Sequence, residues 1–69
     1  MNISARNVLK GKIVKITTGA VNTEVIIQVD GGNQIVSMIS QESAKKLGLE
    51  KGKEAYAIIK ASNVIIATD

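Results

Sequence analysis

The sequence has 69 residues, enough for one domain, and it contains neither cysteine nor histidine, which excludes disulfides and thiolate or imidazole metal sites. Hydrophobic residues make up 45% of it but aromatics only 1%, so the core is aliphatic and thin. Nine basic residues against six acidic ones give a formal charge of +3, a mild excess that suits an anionic partner of any size. A chain this short, without a covalent or metal staple, is expected to gain stability by self-association. It opens Met1-Asn2-Ile3-Ser4 with no basic, apolar leader, and no run approaches a membrane span. The expectation is a soluble, cytoplasmic protein with no membrane partner.

Residues 8–18 read as a first strand, with Val8, Lys10, Lys12, Val14 and Ile16 on one face and Leu9, Gly11, Ile13 and Lys15 on the other. Gly11 inside it predicts a bulge or sharp bend. A polar, small-residue connection follows through Asn22, and residues 23–29 form the second strand. Asp30-Gly31-Gly32-Asn33 is a hairpin signal, because its residues tolerate positive φ. Residues 34–39 make the third strand. Ser40 or Ser43 then caps a short helix that runs to about Leu47, with Glu42 in its first turn, Lys45 and Lys46 in its last, and Gly48 to stop it. After a polar turn, residues 54–60 and 63–67 read as two more strands, hinged at Ala61-Ser62.

The expected fold is therefore all-β with one short helix. It is a five-stranded OB-like barrel with the helix between strands 3 and 4, in a single domain of residues 1–69. The fourth strand is apolar on both faces (Ala55, Ala57 and Ile59 against Tyr56 and Ile58), as is Val64-Ile65-Ile66. A surface strand should show one polar face, so both predict cover by another copy of the chain.

Two runs stand out chemically. Ser4-Ala5-Arg6-Asn7 and Lys60-Ala61-Ser62-Asn63 each combine a hydroxyl, a cation and an amide with a small alanine, and neither contains an acid. Such donor sets suit a small, ionised oxyanion. On composition alone they also read as ordinary polar strand ends. A further candidate is Gly19-Ala20-Val21-Asn22, whose small residues can present consecutive N–H groups as an anion nest, or simply turn the chain. Catalysis finds no support: no histidine or cysteine is present, and the acids are scattered through strand edges and turns. An OB-type nucleic-acid-binding module is the alternative function. With Tyr56 as the one aromatic, however, the chain lacks a base-stacking platform, and no nucleic-acid partner is expected.

These residues resemble the molbindins, the small Mop-type molybdate-binding proteins, and most closely their clostridial-type single-domain forms. The likeness rests on Ser4-Ala5-Arg6-Asn7, Gly11 and Gly19-Ala20-Val21-Asn22-Thr23-Glu24-Val25. It continues through Ser43, Leu47-Gly48-Leu49, Gly52 and Ile59-Lys60-Ala61-Ser62-Asn63-Val64, in order and over nearly the whole chain. The resemblance implies a homohexamer, a trimer of dimers, that stores or buffers molybdate or tungstate without catalysis. It implies one class of oxyanion site at Ser4, Ala5, Arg6, Lys60, Ala61 and Ser62 across a dimer interface. A second class is implied near the threefold axis, at Gly19, Ala20, Val21 and Asn22. The family has been associated with molybdopterin, but short polar groups without an aromatic floor suit a bare oxyanion better.

Overall fold

The computed structural model describes residues 1–69. Its elements are β1 (Asn7–Thr18), β2 (Asn22–Val29), β3 (Gln34–Ser40), α1 (Gln41–Leu47) and β4 (Glu54–Ile59), with single 3-10 turns at Asp30–Gly32 and Ala61–Asn63. The strands form one antiparallel sheet in the order β3-β2-β1-β4. The central strand β1 serves both halves: its first part pairs with β4 and its second with β2, and Gly11 faces both Val29 and Ala55.

The sheet curls there, and Gly11 shows why. A Cβ on Gly11 would press into the Gln28 carbonyl oxygen and lie 2.6 Å from Ile27 Cγ2. The glycine is needed for close backbone approach. The bulge expected at this residue sits instead between Ile13 and Lys15, where Val14 is the extra residue against the step from Ile27 to Ile26. The bulge resets the alternation, so that Ile13 and Ile16, expected on opposite faces, both turn inward. Ile13 is buried and Ile16 packs against it. At the bulge, Ile13 exchanges hydrogen bonds with the turn before β4, its N–H donating to Lys53 O (2.9 Å) and its carbonyl accepting from Gly52 N–H (2.8 Å).

The β2–β3 connection is the tight reversal expected, with Gly31 and Gly32 at φ 82° and 83° and Val29 N–H donating to Asn33 O at 2.8 Å. Ser40 caps α1, accepting from Ser43 N–H at 3.1 Å. Gly48, at φ 63°, ends it in the left-handed region that a side chain would resist.

One expected element is missing. Residues 63–67 form no fifth strand: after the turn at Ala61–Asn63 the chain runs on unpaired, with Ile65 92% and Ile66 82% exposed. Lys60 likewise lies just beyond β4. The sheet is consequently an open half-barrel, whose edges β3 and β4 do not pair with each other. Only Ile13, Val25, Ile27, Ala57 and Thr23 are buried. Between the open edges is an apolar cavity of about 410 Å³, lined by Val25, Ile27, Ile39, Leu49, Tyr56 and Ile58 among others.

Candidate functional site

The β1–β4 ladder ends at the pair Asn7 and Ile59. Beyond it the two polar runs leave the sheet side by side, and together they line one depression of about 550 Å³. Ser4, Ala5, Arg6, Lys60, Ala61 and Ser62, more than fifty positions apart in the chain, all border it. No carboxylate does. Arg6 and Lys60 take part in none of the ion pairs of the chain, which join Lys10 to Glu54, Lys46 to Glu42 and Lys53 to Glu50. Their charge is therefore available to a ligand.

The backbone adds donors. Residues 61–63 turn because Asn63 N–H donates to Lys60 O (2.8 Å) and Val64 N–H to Ala61 O (3.2 Å). Among the turn and loop hydrogen bonds, none uses the N–H groups of Ala5, Arg6, Ala61 or Ser62. Two cations, two hydroxyls and free amides around an acid-free hollow make a donor set suited to an oxyanion. Asn63, the amide of the second donor run, also borders the hollow, as do Ile3 and Ile58, which the sequence did not single out for it. Ile58 was legible only as the outward residue of a strand apolar on both faces, and it also lines the cavity between the open edges.

The second candidate is built from a single loop. Gly19, Ala20, Val21 and Asn22 join β1 to β2 and border a depression of about 430 Å³ with Thr17, Glu24 and Met38. Gly19 N–H donates to Asn22 O at 2.8 Å, and Val21 O accepts from Gln41 N–H at 2.9 Å, pinning the loop to the start of α1. The N–H groups of Ala20 and Val21 have no backbone partner. Unlike the first hollow, this one has a carboxylate, Glu24, in its wall. Beneath the loop, Thr23 is buried and its hydroxyl finds no partner within the chain.

A third polar hollow lies at the fork of the sheet, where Lys10 and Lys12 face Asp30 and Glu54. Glu54 accepts from Lys10 at 3.1 Å and, by this hydrogen bond first and its charge second, raises the Lys10 ammonium above its ordinary value. Lys10 is answered by Glu54, and Asp30 adds a second carboxylate to the wall, so this hollow suits an anion less than the acid-free one. No group of three or more acidic, histidine or cysteine side chains is placed to hold a metal cation, and no helix is long and apolar enough to cross a membrane.

Residues 3–66 match the family model for the TOBE domain. The chain is 54% identical, over the full length of both, to a probable molybdenum-pterin-binding protein of Haemophilus influenzae. Among solved structures it superposes on MopII of Clostridium pasteurianum with a TM-score of 0.93, at 45% identity over 97% of this chain and all of that one. It also superposes on ModG, a cytoplasmic molybdate-binding protein crystallised with molybdate, with a TM-score of 0.90 at 51% identity, covering 94% of this chain and 46% of that one.

Proposed function

The chain belongs to the TOBE domain family, among its Mop-type molybdenum-pterin-binding proteins, and from that premise we propose that it binds molybdate or tungstate as bare oxyanions, without catalysis, and stores them at subunit interfaces of a homo-oligomer in the cytoplasm. The observation that carries this is the meeting of the two distant polar runs around one acid-free hollow with two unpaired cations. Charge-assisted hydrogen bonds contribute roughly 1.5–3 kcal/mol each. A handful of them, less ordering and desolvation, reaches the ~8 kcal/mol of micromolar binding. The two ions have nearly the same size and charge, so both fit this chemistry. The relatives' names speak of a molybdenum pterin, but no aromatic ring borders either hollow on which a pterin could stack.

Self-association is supported by surface area. The chain exposes 5528 Å², whereas a folded monomer of 7.3 kDa exposes about 4,200 Å². The excess, roughly 1,300 Å², is more than the ~800 Å² that each partner gives to a standard interface. The projecting Ile65 and Ile66 and the apolar cavity between β3 and β4 are complementary in character. In the hexamer, a trimer of dimers, the first hollow lies at the dimer contact and the 19–22 loop near the threefold axis.

Calorimetric titration of the purified protein with molybdate, with sulfate in parallel at equal ionic strength, tests the reading. Saturable heat with molybdate and none with sulfate is expected. Equal heats would reduce the hollows to generic anion patches. Silence from both would sink the proposal and leave a nucleic-acid-binding module, which steeply salt-dependent retention of single-stranded DNA would reveal.

A further inference from the structure

The first hollow has walls from two segments that share no backbone hydrogen bond beyond the end of the sheet, so something must hold them in register. Asn7 Nδ2 donates to the Ile59 carbonyl at 3.1 Å, a half-buried bond between residues 52 apart in the chain. Apart from the exposed Lys10–Glu54 ion pair further along the same ladder, it is the one side-chain hydrogen bond that joins distant parts of the molecule: the others span three or five residues. It also falls on the last register pair of the β1–β4 ladder, immediately before Arg6 on one strand and Lys60 on the other.

We infer that Asn7 is a positioning residue for the oxyanion site, its amide riveting the Ser4-Ala5-Arg6 run to the Lys60-Ala61-Ser62 run so that their donors converge before a ligand arrives. Asn7 is not among the residues that border the hollow, so it acts through its neighbours. Without the rivet the ladder frays from an end that has no further partner, and ordering the two runs is then charged to binding. An aspartate there would set a carboxylate against a carbonyl oxygen and push the runs apart.

This role rests on the oxyanion reading proposed above, and the second loop supplies an internal control. Asn7→Ala and the isosteric Asn7→Asp are titrated with molybdate, the two classes of site being told apart with Lys60→Ala. Backbone ¹⁵N order parameters of residues 4–6 and 60–62 are measured without ligand. We expect affinity at the first site to fall roughly three- to tenfold, the 19–22 site to be unchanged, and the order parameters of both runs to drop. Should the aspartate variant fail to fold, the alanine variant carries the test. Equal loss at both sites would mean a general loss of stability and overturn the assignment, as would unchanged affinity with unchanged order parameters. A wild type silent toward molybdate would instead remove the oxyanion reading itself, and this role with it.

Discussion

The two candidate hollows share free backbone amides and are otherwise built in opposite ways. The first gathers Arg6 and Lys60 from opposite ends of the chain and excludes acids. The second comes from one loop, closed by its own Gly19-to-Asn22 hydrogen bond, with Glu24 in its wall and no cation. Their sources of strength differ accordingly. The first relies on charge and on the fold that brings its halves together, the second on backbone amides presented by a local turn. With two cations and no acid in its walls, the first should bind an oxyanion more tightly.

The largest expected effect erases the comparison. Gly11 lies where β1 passes from β4 to β2, and a methyl group there meets backbone on one side and Ile27 on the other. Neither neighbour is a flexible side-chain end that can swing away. Gly11→Ala should cost about 1–3 kcal/mol through overpacking, a heavy loss for a chain with so few buried residues. Thermal unfolding should show a Tm lower by roughly 10 °C, and both sites should weaken together. If the second hollow survived while the first was lost, β1 would not be the common scaffold.

Next is a reciprocal pair. Lys60→Ala removes a cation and should weaken the first site at least tenfold, about the value of one charge-assisted hydrogen bond, leaving the second untouched. Gly19→Ala does the reverse. Its Cβ would fall 2.8 Å from the Asn22 carbonyl oxygen, which must give way and take the loop-closing bond with it. Two-site titrations of both variants should show losses at different sites. A loss at the same site in both would show that the hollows are one site.

The same contrast explains what could be read from the sequence. The 19–22 loop, the Asp30-Gly31-Gly32-Asn33 reversal, the Ser40 cap and the Gly48 stop are local, and the residue types that turn, cap or end a chain announce themselves wherever they stand. The first site was legible as two donor-rich runs, but their meeting depends on the Asn7–Ile59 register, which lies in the fold. Alternation failed in β1 because of a bulge at Val14, which shows only in the pairing with β2. Gly11 was visible as an anomaly, yet its cause is the Gln28 carbonyl. The fifth strand failed for a related reason. Val64, Ile65 and Ile66 have strand-forming side chains, and such a preference reports fitness for a pleated, half-buried surface without saying which chain provides it. Within one chain no surface does.

The smallest effect sharpens the comparison most directly. If Glu24 is what sets the second hollow below the first, removing its charge while keeping its shape should narrow the gap. Glu24 is half-buried on β2, opposite Thr17 on one side and Met38 on the other, and Thr17 and Met38 border the same hollow. A carboxylate facing an incoming dianion repels it, but at a solvated wall the penalty is reduced by water and salt. Glu24→Gln should therefore raise molybdate affinity at the 19–22 site only about two- to fivefold at low ionic strength, with the gain shrinking as salt approaches 1 M, where the screening length is about 3 Å. The first site should not respond. An affinity that falls instead would mean that Glu24 supports the loop more than it repels the ligand. The weakness of the second site would then belong to its missing cation alone.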